Sequence, residues 1–279
     1  MSKLNLHKFD PNVMSERRLR GSAPTCALLG KRGTGKSTLL LDLMYYQRTI
    51  PMGLIMSGTE ESTGAFSDYF PDLFIHSEFN PEALENLFEQ QKKIIKLEKD
   101  NIQNGHSFLI IDDLMYDRKM IRHKNLRKLF MNGRHWRITF FLTMQYMMDL
   151  PPDLRTNIDY IFILRENIVA NQIKIWKNFF GVFETFKSFR ETLIECTEDF
   201  ECLVLDNTSK SNNVEDCVYW YKANSTRKYK IGSRKLWEFA EQNYNENYDD
   251  KGIKDKHVQI TKSGIKNKLH KEKKSKERK

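Results

Sequence analysis

The stretch Gly30-Lys31-Arg32-Gly33-Thr34-Gly35-Lys36-Ser37 fits G-x-x-x-x-G-K-[ST] without a mismatch, the spacing of a phosphate-binding loop. Its glycines let the backbone curl until successive N–H groups point at phosphate oxygens, and the N-terminus of the next helix adds partial positive charge. Gly30, Lys31, Arg32, Gly33, Thr34, Gly35, Lys36, Ser37 and Thr38 are therefore expected to hold ATP. Lys36 is expected to reach the β and γ phosphates, and the Ser37 hydroxyl to ligate Mg²⁺.

A second chemical signal is Phe108-Leu109-Ile110-Ile111-Asp112-Asp113, four apolar residues ending in two carboxylates. A buried strand ending in acid has the form of a Walker B element. Asp112 is expected to hold Mg²⁺, directly or through a water, and Asp113 to orient and polarise the attacking water. ATPases of this class more often carry Glu at the position of Asp113, whose shorter side chain must still reach that water. A third signal is the polar Gln145 at the tip of the apolar run Ile138–Thr143, positioned to sense a γ-phosphate. A further strand between phosphate loop and acid, with a polar sensor beside the acid, is the order of parts of RecA-like, additional-strand ATPases. Small-molecule kinases usually lack this acid and this sensor, and no convincing arginine-bearing lid segment is found.

Arg118, Lys119, Arg122, Lys124, Arg127, Lys128, Arg134 and Arg137 follow the acid with no acidic residue among them. The segment reads as a solvated helix face, a contact to a nucleic-acid backbone, or a contact to a neighbouring subunit. Arg134 is the first choice for an arginine presented across a subunit interface to complete hydrolysis, with Arg155 and Arg165 as alternatives. Arg134 could equally pair with an acid of its own subunit.

These groups need a scaffold. Apolar runs at Thr25–Leu29, Gly53–Ser57, Ser107–Ile111, Ile138–Thr143 and Tyr160–Leu164, with a shorter one at Leu73–Ser77, read as buried strands. Helical spacing is present in Lys36–Arg48, after Asn80-Pro81-Glu82, in Ile121–Gly133 and in Ile168–Phe180. Strands alternating with helices predict a mostly parallel sheet covered on both faces. After Gly181 the alternation weakens; Glu201–Leu205 and Cys217–Tyr221 read as an edge hairpin, and Ser233–Asn243 as a last helix. The expected organisation is an N-terminal arm over 1–21, a P-loop ATPase core over 22–208, an accessory segment over 209–245 and a basic flexible tail over 246–279.

The 279 residues are 39% hydrophobic, enough for a sizeable core, which excludes a disordered or collagenous chain. Four cysteines without a CxxC pair point to a reducing, intracellular compartment and no structural zinc. No apolar run approaches the length of a membrane span, and residues 1–11 carry no signal-peptide apolar region. The net charge of +9 belongs wholly to Lys251–Lys279, where eleven lysines and one arginine face three acids. Such a block reads as a solvated tail with weak affinity for polyanions.

Leu29-Gly30-Lys31-Arg32-Gly33-Thr34-Gly35-Lys36-Ser37, Ile110-Ile111-Asp112-Asp113, Asn132-Gly133-Arg134-His135 and Thr143-Met144-Gln145 together resemble the FtsK–HerA superfamily. Within it, the chain is most similar to the genome-packaging ATPases of nucleo-cytoplasmic large DNA viruses, over about residues 22–208. The resemblance implies a RecA-like P-loop fold and Mg²⁺-dependent ATP hydrolysis. It further implies movement of double-stranded DNA, without sequence specificity, into a preformed capsid by a ring of identical subunits. A capsid or portal component would be its partner, and the host cytoplasm, at the viral factory, or the virion its location. The alternative is an ATP-gated adaptor or remodelling ATPase of virion assembly that pumps no DNA.

Overall fold

Short apolar runs bounded by turn residues cannot stay unpaired in a dry core, because each would leave its peptide groups unsatisfied; here they zip into one sheet. The computed structural model describes residues 4–98, 105–114, 117–146 and 150–243, and the backbone of 259–261 and 264–266. The chain begins with β1 (His7–Lys8), α1 (Asn12–Leu19), β2 (Thr25–Leu29), α2 (Lys36–Tyr45), β3 (Met52–Ser57), α3 (Glu60–Thr63), β4 (Ile75–His76) and α4 (Pro81–Leu97). It continues through β5 (Ser107–Asp112), α5 (Arg118–Arg122), α6 (Lys124–Asn132), β6 (Ile138–Met144), α7 (Pro152–Arg155), β7 (Tyr160–Ile163) and α8 (Val169–Asn178). Next come α9 (Phe186–Glu195), β8 (Glu201–Asp206), α10 (Val214–Cys217), β9 (Val218–Lys222) and α11 (Arg234–Asn243).

The nine strands lie in the order β1-β9-β8-β7-β2-β6-β5-β3-β4. Only β8 is antiparallel to its neighbours. Alternate residues of each central strand feed opposite layers. Ala27 and Leu29, Leu109 and Ile111, and Phe140 and Leu142 join one cluster, with Leu84 and Phe88 of α4, Leu129 of α6 and Phe189 of α9. Cys26 and Leu28, Phe108 and Ile110, and Phe141 pack on the other side, against Met14 of α1 and Leu39, Leu40 and Leu43 of α2. Loops leaving the C-terminal ends of β2, β3, β5, β6 and β7 gather at one end of the sheet, the place where an open parallel sheet binds its ligand.

Three departures from the sequence reading have local causes. The helix expected over Ile121–Gly133 is cut at His123, whose extended backbone starts α6 and whose Nδ1 accepts the Asn125 N–H (3.2 Å). The run Leu73–Ser77 keeps only two residues in the sheet, at its edge. Helix α9 caps the weakly patterned stretch after Gly181: the Thr185 hydroxyl accepts the Ser188 N–H, and Phe189 and Leu193 bury. Residues of the arm and of the accessory segment meet in the sheet, where β1 adds in parallel to β9.

The unit carrying this sheet reaches Gln242, and residues 243–279 form a second one. Within the latter, β10 (Gln259–Thr261) and β11 (Gly264–Lys266) pair antiparallel. The flexibility expected of the basic tail otherwise falls outside the described residues. No helix among the described residues is long and apolar enough to cross a membrane.

Candidate nucleotide site

β2 ends at Leu29, and the Gly30 N–H donates to the Met144 carbonyl of β6 (3.2 Å). A Cβ on Gly30 would stand 2.5 Å from Thr34 Oγ1 and 3.0 Å from Leu164, so only glycine turns here. Gly35 caps α2 at φ +93°, a left-handed backbone that favours glycine. Lys36 is 8% exposed and folds back over the loop, its Nζ donating to the carbonyls of Gly30 (2.7 Å) and Lys31 (3.2 Å). Burial lowers its pKa, against the opposing pull of Asp113 and then Asp112. Ser37 and Thr38 are exposed on the first turn of α2, and the Ser37 hydroxyl has no hydrogen bond among the described residues. Arg32 and Gly33 are exposed at the tip. Lys31 reaches sideways to Glu166, beyond β7 (2.7 Å). Burial pushes the Glu166 carboxyl up, but Lys31, the Ile168 N–H and Asn171 outweigh it and hold it below the usual carboxylate range.

The acids arrive by register. Ser57 of β3 lies opposite Asp112 of β5, and Thr143 of β6 follows the Ile111–Leu142 pair by one position. Strand alternation turns all three toward the α2 face, beside Ile55, Ile110 and Phe141. Thr143 Oγ1 donates to Asp112 Oδ1 (2.6 Å) and Ser57 Oγ to Asp112 Oδ2 (3.1 Å). The same Thr143 oxygen accepts the Asp113 N–H (3.0 Å). One hydroxyl thus ties the two acids together. Asp112 is 2% exposed, and burial raises its pKa. The Thr143 and Ser57 hydroxyls oppose that rise, Asp113 reinforces it, and Lys36 opposes it. Asp113 turns out of the strand at φ +51°. Gln145 clasps it, Nε2 donating to Oδ1 (2.9 Å) and Oδ2 (3.1 Å).

Lys36, Asp112, Asp113 and Gln145 therefore share one end of the sheet. Ser57, Thr143 and Glu166 join them without having been singled out for it; the available signal was a polar residue closing an apolar strand. Arg134 stands elsewhere. It precedes β6, at the opposite end of the sheet, and pairs with the buried Asp159 (2.9 Å), which also takes Arg17 (2.8 Å) and the Thr25 N–H (2.9 Å). Arg155, at the end of α7, donates to Asn178 (2.8 Å). Arg165 is exposed at the site end, donating to Asn167 (3.2 Å).

The basic segment divides in two. Arg127 pairs with Asp153 and Lys128 with Glu85 (3.4 Å), while Arg137 is buried. Arg118, Lys119, Arg122 and Lys124, nearer the acids, are exposed, and their side chains form no ion pair among the described residues.

A phosphate loop on β2, an inserted β6 and an acid-tipped β5 beyond it define a RecA-like P-loop NTPase fold. Residues 12–192 match the family described as Poxvirus A32 protein, and the chain belongs to that family. It is 35% identical to protein L437 of Acanthamoeba polyphaga mimivirus over 253 residues, 88% of this chain and 87% of that one. It is 36% identical to protein 075L of Invertebrate iridescent virus 6 over 254 residues, covering 88% and 96%. Among solved structures, the genome packaging NTPase B204 of Sulfolobus turreted icosahedral virus 2, in complex with AMP, shares the fold at TM-score 0.52 and 17% identity. That likeness spans 72% of this chain and 98% of the other.

Proposed function

We propose that this chain is a Mg²⁺-dependent ATPase motor that moves double-stranded viral DNA into a capsid during virion assembly, working as a homo-oligomeric ring in the host cytoplasm. The observation that carries the reading is the Asp113–Gln145 clasp at the site end of the sheet, close enough to Lys36 for Asp113 to be its strongest charged neighbour. The fold's precedent is B204, a genome packaging NTPase captured with ATPγS and with AMP.

The residues fit the ion such chemistry needs. Asp112 offers carboxylate oxygens in a dry position whose raised pKa asks for a cation, and Ser37 offers a hydroxyl with no other partner among the described residues. Asp112 and the Ser37 hydroxyl would hold Mg²⁺, which would supply charge neutralisation for phosphate hydrolysis. Lys36 trades its two carbonyl acceptors for phosphate oxygens, a charge-assisted exchange. Asp113 orients the attacking water, and the amide of Gln145 holds Asp113 in place while sensing the terminal phosphate. Arg118, Lys119, Arg122 and Lys124, exposed and without an ion pair among the described residues, contact DNA phosphates, which gives binding without base readout. They begin five residues after Asp113, so nucleotide state and DNA grip share one segment. A capsid or portal component completes the assembly, and Arg134 is the first choice for the arginine acting across subunits.

The deciding experiment is ATP turnover by the assembled ring with and without duplex DNA. Stimulation that fades with added salt is expected. A slow rate indifferent to DNA would sink translocation and leave an ATP-gated adaptor.

A further inference from the structure

β8 runs against its neighbours, so its first residue enters the sheet where the parallel strands finish, beside the phosphate loop. The turn that feeds it places two successive non-glycine residues, Asp199 and Phe200, in the left-handed region at φ 47° and 62°. A backbone of this kind survives only where its surroundings demand it, and it collects at ligand sites. Phe200 is 71% exposed, the one exposed aromatic side chain among the described residues. Its Cδ1 stands 3.3 Å from where a Cβ on Gly35 would sit. The ring therefore overhangs the last glycine of the phosphate loop while leaving most of its surface open.

The direction of a bound nucleotide follows from the acids. Asp112, Asp113 and Gln145 lie on the β5–β6 side of β2 and set the γ-phosphate end. The nucleoside must then leave the loop toward β7 and β8, the side on which Phe200 stands. We propose that Phe200 is the platform for the nucleoside, its open ring face stacking on the base. This rests on the nucleotide reading of the loop. Stacking uses the π-face that every base possesses, so Phe200 would hold purine triphosphates with little regard to their edges.

The test measures binding of ATP and of inorganic tripolyphosphate, each with Mg²⁺, to the full chain by titration calorimetry. Phe200→Ala is expected to weaken ATP roughly five- to one-hundred-fold and to leave tripolyphosphate unchanged. Phe200→Trp is expected to restore ATP affinity, with a new fluorescence signal quenched by ATP and not by tripolyphosphate. Wild-type ATP affinity in Phe200→Ala would overturn the platform while the loop reading stands, as would a parallel loss of both ligands. If the wild-type chain binds neither ligand, the loop reading fails and the platform goes with it.

Discussion

Asp112 is buried away from water, and that burial makes its charged form costly to the fold. Its native pKa lies above the unfolded value because burial dominates the hydroxyls that face it. The native state therefore binds that proton more tightly than the unfolded chain. The associated stability is complete below the unfolded pKa and is lost as pH rises through the native one. Asp112→Asn removes the charge, so calorimetry at neutral pH should show a melting temperature higher by about 2–4 °C for each kcal/mol released, with the further stabilisation by Mg-ATP abolished. By the same sign, Mg²⁺ affinity should fall as the solution is acidified through the raised pKa. Asp113 answers a different question. Asp113→Asn should keep ATP bound and slow its hydrolysis by roughly two orders of magnitude, read in single-turnover assays, whereas Lys36→Ala should lose the nucleotide. Lys36, Asp112, Asp113 and Gln145 were legible because their signals are local: a glycine spacing and two polar strand ends. Ser57 and Glu166 were not, since each reaches its partner only through strand pairing or chain return across the sheet.

At the scale of elements, strand register assembles the acid row, and β6 is its hinge pin. Thr143 of that strand bonds both Asp112 and Asp113. Thr143→Val, of nearly the same volume, strips Asp112 of one donor and should reduce Mg²⁺ affinity by about tenfold; Thr143→Ser should recover it. A merely packing role would show the reverse order, Val tolerated and Ser not. Helix α5 carries a separate duty. Arg118→Gln with Arg122→Gln should leave DNA-free turnover intact, cut stimulation by duplex DNA, and lower the salt slope of binding by about two. The central strands were readable from apolar runs because both of their faces are buried. The break at His123 was not, because a single side-chain cap outvotes an uninterrupted helical pattern. Nor was β1, whose two exposed residues carry no apolar signal and are recruited by the edge of β9.

On the whole-molecule scale, the proposed ring predicts that one copy of the chain leaves part of the site for the next to finish. Arg134 and Arg155 sit at the end of the sheet away from the phosphate loop, and Arg165 at the near end. Arg134→Ala in the assembled ring should spare ATP binding and cost on the order of a thousandfold in turnover, with the melting temperature separating this from loss of its pair with Asp159. Normal turnover would transfer the assignment to Arg165. The pairing of β1 with β9 has a consequence for synthesis. Residues His7 and Lys8 find their partners, Tyr219 and Trp220, only after more than two hundred further peptide bonds have been made. Until then that edge of the nascent sheet stays open to other chains. Messages cut short before Lys222 should therefore yield protein that clumps rather than a smaller, working enzyme.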